Sequence, residues 1–137
     1  MVNPEVIRRR LSQLDEYVSI VRRLGAYSLQ EFLDDPEHYG SAERFLQLAI
    51  ETTIDVGNHL IAESGWGPVD RYAEIPAILA QRGCVTPELR DKWLRMIGFR
   101  NILVHDYLDV DRTQVFRILH DGLADLEALR VALAAFL

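Results

Sequence analysis

The sequence predicts an all-α fold, an antiparallel four-helix-type bundle with additional short helices. Three observations carry this. No stretch of useful length alternates apolar and polar residues with period two, so no strand is predicted. Asn3-Pro4-Glu5 and Thr86-Pro87-Glu88 each supply a capping side chain, a proline at the first helical position and a carboxylate in the first turn. Apolar residues also recur in steps of three and four through four long segments, the spacing by which helices pack on one another.

The first helix runs from Pro4, with Ile7, Leu11, Leu14, Val18 and Val21 as its seam and Gly25 as its stop. Arg8, Arg9 and Arg10 spread around more than half of it and read as solvated. Ser28-Leu29-Gln30-Glu31 has the capping-box pattern and opens a short helix through Leu33, which Asp34-Asp35-Pro36 stops. A second long helix is predicted over 41–63, with Leu46, Ile50, Thr53, Ile54, Gly57, Leu60 and Ile61 as its apolar line. Gly65 closes it, and Trp66-Gly67-Pro68 is a loop. A short helix follows from about Ile75-Pro76 to Gly83. The third long helix starts after Thr86 and buries Leu89, Trp93, Met96, Ile97 and Leu103. A turn at Asp109–Asp111 caps a last helix over 112–136, with Val115, Leu119, Leu126, Leu129 and Leu133 inward. The 137 residues fit a single helical domain over 1–137.

Composition narrows the function. One cysteine, Cys84, allows no internal disulfide and suits a reducing compartment. There is no secretory signal pattern and no apolar run near ~20 residues, so the expectation is a cytoplasmic protein with no membrane span. The net charge of −6 argues against simple electrostatic attachment to nucleic acid, and no DNA partner is expected. That acidity is concentrated in residues 26–75, where two arginines face ten acids.

Gln47, Glu51, Asp55 and His59 fall four apart, a continuous polar line beside the apolar one. A solvated helix edge accounts for it, as does a set of groups that support a site on the neighbouring helix. A metal site of Glu51, Asp55 and His59 is the weaker reading. One helix presents few ligands, the paired Glu-x-x-His spacing of di-iron bundles is missing, and no metal or cofactor is expected.

The densest chemistry lies in Arg100-Asn101-Ile102-Leu103-Val104-His105-Asp106-Tyr107. On a continuing helix Asn101 and His105 share a face, while Arg100 lies about 140° round from His105. A histidine at a helix C-terminus titrates where a general base or acid is useful. An RNA 2′-hydroxyl attacks the adjacent phosphorus once a base takes its proton, and an arginine stabilises the charge that spreads over the phosphate oxygens. His105 and Arg100 match those roles, and Asn101 could hold a phosphate oxygen or orient the histidine. By spacing alone, a capping histidine beside an exposed arginine accounts for the pair better than catalysis does.

The motif Arg100-Asn-x-x-x-His105-x-Tyr107 resembles the R-x-x-x-x-H-x-Y signature of HEPN-domain toxins, specifically the HepT group paired with minimal-nucleotidyltransferase (MNT) antitoxins. The resemblance extends to residues 42–51, to Ile54-Asp55 and Asn58-His59-Leu60-Ile61, to residues 95–101 and to Val110-Asp111, about 1–135 in all. It implies a HEPN-like bundle that forms a homodimer with two motif copies in a shared cleft. It implies a metal-independent endoribonuclease toxin of a type II toxin–antitoxin system, with Arg100 and His105 catalytic. For Tyr107 it implies an acceptor of AMP from the MNT-type antitoxin, which blocks the nuclease. Asn101, Glu51, Asp55 and His59 become candidate supporting residues, and Asp106 is expected to point away from RNA phosphate. The alternative is a non-catalytic helical module that binds a nucleotide or a nucleotidyltransferase.

Overall fold

A computed structural model describes residues 2–137, and among them every regular element is helical. The α-helices are α1 (Pro4–Leu24), α2 (Leu29–Asp34), α3 (Pro36–Ser64), α4 (Ile75–Gln81), α5 (Pro87–His105), α6 (Arg112–Asp121) and α7 (Leu123–Ala134). The long helices form an antiparallel bundle around α3, which touches each of the other six. No described helix is long and apolar enough to cross a membrane.

The caps form as their residues dictate. Asn3 accepts the Glu5 N–H at 3.0 Å, Thr86 accepts that of Leu89 at 3.1 Å, and Ser28 and Glu31 close a reciprocal capping box. Gly65, at φ 69°, takes the left-handed turn that ends α3. The five predicted seam residues of α1 and the seven apolar-line residues of α3 are all buried.

Two boundaries differ from expectation. The second long helix starts at Pro36 rather than near residue 41, because Asp35 ends α2 and also caps α3, accepting the Glu37 N–H at 2.9 Å. A proline that stops one helix can occupy the first position of the next. The predicted last helix over 112–136 is two helices that meet at Gly122 and end at Ala134. Glycine weakens a helix interior by about 1 kcal/mol, and a Cβ on Gly122 would sit 2.8 Å from the Ile118 Cγ2 methyl.

The centre of the core sets the position of α5. Trp93 is fully buried, and its indole N–H donates to Thr53 Oγ1 at 3.0 Å, whose hydroxyl donates to the Ile50 carbonyl at 2.6 Å. Both polar groups are thereby satisfied inside the core. Gly57 lets α3 approach α4 and α5. A Cβ there would lie 2.6 Å from the Ile75 Cγ2 methyl and 3.0 Å from the Trp93 ring. Neither neighbour is the free end of a flexible side chain. Gly57→Ala should therefore cost about 1–3 kcal/mol by overpacking, seen as a drop of several degrees in Tm by circular dichroism.

Candidate functional site

Arg100 lies one turn before the end of α5 and points back onto α3. Its Nε and Nη2 donate to the same Glu51 oxygen, Oε1, at 3.1 and 2.9 Å. Gln47 donates a third hydrogen bond to that oxygen at 3.0 Å. The pair is shielded, with the arginine side chain 16% and the glutamate side chain 29% exposed. The remaining arm of the guanidinium, Nη1, donates to Asn101 Oδ1 at 3.1 Å. The Tyr72 ring faces the guanidinium at 5.6 Å, within cation–π reach. Arg100 is thus fixed in direction by two hydrogen-bonded residues, Glu51 and Asn101, and an aromatic face.

Asp55 sits one turn further along α3. Although the residue as a whole is exposed, partial desolvation of its carboxyl raises the pKa from its ordinary value; Arg10 and Arg100 oppose that rise and Glu51 adds to it. Glu51, Ile54, Asp55, Tyr72 and Arg100 line a cavity of about 120 Å³. His59 does not join this cluster. Its Nε2 accepts the backbone N–H of Asn3 at 3.1 Å and ties α3 to the start of α1. The polar line therefore splits, with Gln47, Glu51 and Asp55 toward Arg100 and His59 toward the N-terminus.

The helix continues through His105, and Asp106 closes it by donating its N–H to the Ile102 carbonyl at 2.9 Å. Asn101 and His105 therefore lie one turn apart on one face, while Arg100 and His105 leave the helix about 140° apart. His105 is exposed and has no hydrogen bond or ion pair among the described residues. The chain then makes a 3-10 turn over Tyr107–Asp109. Tyr107 is 65% exposed and its phenol is unbonded. Asp106 is also exposed, with no side-chain partner. One chain thus presents an anchored arginine and, separately, a histidine and a phenol open to solvent.

Two residues here carried no expectation. Tyr72 opens a single 3-10 turn, Tyr72–Glu74, too short for any periodicity to mark it. Glu43 precedes Gln47 by one turn and extends the polar line, so the same four-residue spacing could have found it. Its Oε1 is buried without a hydrogen bond, and Arg112 Nε stands 3.8 Å away while its guanidinium covers the Tyr39 ring. Burial raises the Glu43 carboxyl pKa, with Arg112 opposing. A carboxyl that holds its proton more tightly when folded contributes stability that falls as pH rises from the unfolded pKa through the folded one. Glu43→Gln should accordingly raise Tm at neutral pH, and the gain should vanish on acidification below the ordinary carboxylate range.

The chain matches the model of the family described as ribonuclease HepT-like over residues 8–133. It is 31% identical over 115 residues to a tRNA nuclease HepT of Aphanizomenon flos-aquae, covering 84% of this chain and 78% of that one. It is 33% identical over 82 residues to an mRNA nuclease HepT of Shewanella oneidensis, covering 60% of this chain and 62% of that relative. Among solved structures it is similar to a tri-AMPylated Shewanella oneidensis HEPN toxin in complex with MNT antitoxin. The TM-score is 0.88 at 25% identity, over 95% of this chain and 97% of that one.

Proposed function

The chain belongs to the HepT-like ribonuclease family, and from that premise we propose that it is the ribonuclease toxin of a toxin–antitoxin pair. The observation that carries the reading is the end of α5. There a guanidinium is held rigid by Glu51 and Asn101, and an unencumbered His105 follows five residues on.

RNA supplies its own nucleophile. His105 takes the proton of a 2′-hydroxyl, and the oxygen attacks the adjacent phosphorus. The new O2′–P bond forms as the P–O5′ bond breaks, and the leaving oxygen takes a proton from the imidazolium. Arg100 stabilises the negative charge on the phosphate oxygens, and its fixed direction removes reorganisation at that moment. With Asn101 Oδ1 committed to Arg100, the Asn101 amide N–H groups are the donors left for the substrate or for His105.

A second copy belongs on the exposed side of α5. Leu94, Gly98 and Ile102 lie four apart there, with both large side chains more than 40% exposed and open space over Gly98. A homodimer through this stripe brings two copies of the motif near one another. We place the activity in the cytoplasm, where the free thiol of Cys84 stays reduced.

The relative solved with an MNT antitoxin carries AMP, and Tyr107 is the acceptor we assign here. The phenol attacks the α-phosphorus of ATP on an MNT-type nucleotidyltransferase and pyrophosphate leaves. The attached nucleotide then occupies and repels the RNA phosphate site. Incubation with such a partner and ATP should add one or more AMP units by intact mass and suppress RNA cleavage. The gain should be missing in Tyr107→Phe; a gain that persists there would move the acceptor elsewhere.

A further inference from the structure

We propose that the cavity between α3 and Tyr72 is a base subsite that receives an unstacked guanine of the RNA beside the cleaved phosphate. The proposal rests on the ribonuclease reading and adds to it a residue-level basis for sequence preference.

The cavity has the parts that single-stranded RNA recognition uses, an aromatic face and a guanidinium beside a hydrogen-bonding edge. Its floor is the buried Ile54 side chain. One wall is Tyr72, whose ring faces Arg100 yet remains half exposed. Arg100 connects the cavity to the reacting phosphate, so a base lodged here belongs to a nucleotide next to the cut.

The two carboxylates differ in what they have left to offer. Glu51 Oε1 already takes three hydrogen bonds, two from Arg100 and one from Gln47. Asp55 has no hydrogen bond and no ion pair within 4.0 Å among the described residues. An ionised carboxylate only accepts, so its ligand must bring donors. Guanine presents two side by side, N1–H and the N2 amino group, which match the two carboxylate oxygens. Adenine and cytosine each set one amino group beside a ring acceptor, and uracil sets one N–H between two carbonyls. Those acceptors would face the carboxylate and repel it. Arg10 and Arg100 both attract Asp55, which lets a negative group sit close to an RNA phosphate. Asp55 is exposed at the cavity lining, so its oxygens are open to a ligand that brings donors.

The test uses the full-length protein and a panel of RNAs identical except for the nucleotide beside the cut. The wild type should cleave the guanine substrate at least about 10-fold faster than the adenine one, the scale of one good bidentate base contact. Asp55→Asn should bring that ratio close to one. Tyr72→Ala should raise KM by roughly 5- to 100-fold through lost stacking, and Tyr72→Phe should not. In parallel, GMP and AMP are titrated into His105→Ala protein, with GMP binding more tightly and Asp55→Asn removing the difference. Equal cleavage of the whole panel, or a ratio that survives Asp55→Asn, overturns the subsite and leaves the ribonuclease intact. A GMP preference that Asp55→Asn abolishes, with no RNA cut by the wild type, keeps the subsite and sinks the ribonuclease reading. Neither cleavage nor a GMP preference removes both. The Asp55 side chain makes no hydrogen bond to another side chain among the described residues, so Asp55→Asn should fold, which circular dichroism checks.

Discussion

His105→Ala should lower RNA cleavage by about 10²–10⁴-fold, the usual contribution of a positioned general base, while Tm stays where it is. The combination is the informative part. His105 is the last residue of α5, exposed, and without a hydrogen bond or ion pair among the described residues. Truncating such a side chain usually changes stability by less than about 0.5 kcal/mol. A histidine kept as a cap would give the opposite pattern, a loss of Tm with activity retained. Rates on a defined RNA and thermal melts of the same preparations separate the two. A nucleotide-binding module without turnover would show neither change.

Arg100→Ala should cost about 10²–10³-fold in kcat, and unlike His105→Ala it should also destabilise the fold. Glu51 Oε1 would lose two of its three donors and keep only Gln47. Leaving a shielded carboxylate short of donors costs about 1–3 kcal/mol. The double variant Arg100→Ala with Glu51→Gln removes that charge, so it should recover most of the stability and none of the activity. Arg100→Lys keeps the charge but not the fork that holds Glu51 and Asn101 together. It should fall between wild type and alanine in rate. A double variant that regained activity would show that Arg100 serves the fold alone.

Much of the helical frame was legible because caps and apolar spacing are local signals. Asn3, Ser28, Thr86 and Asp111 each cap the helix that follows. The start of α3 is hidden in the sequence because Asp35-Pro36 has the form of a stop, while Asp35 in fact serves both helices. The break at Gly122 was hidden because Val115, Leu119, Leu126 and Leu133 keep a helical period across it. The site was legible in a different way. The four-residue spacing of Gln47, Glu51, Asp55 and His59 marks a line on α3, but which members meet α5 depends on how the two helices cross. Arg100 meets Glu51 across 49 positions of sequence, and His59 turns instead to Asn3. Tyr72 enters from a single 3-10 turn, too short for a period to announce a contact. The pairing of Arg100 with His105 stood out through resemblance to a family motif, because the spacing alone describes a helix end equally well.

The measurement that bears most directly on the central claim is cleavage of a defined RNA by the purified protein in EDTA, with both new ends analysed. Attack by the 2′-hydroxyl predicts a 2′,3′-cyclic phosphate on one fragment and a 5′-hydroxyl on the other, at a rate that chelation does not change. Cleavage that depends on added metal, or that leaves a 3′-hydroxyl and a 5′-phosphate, would contradict the roles given to Arg100 and His105.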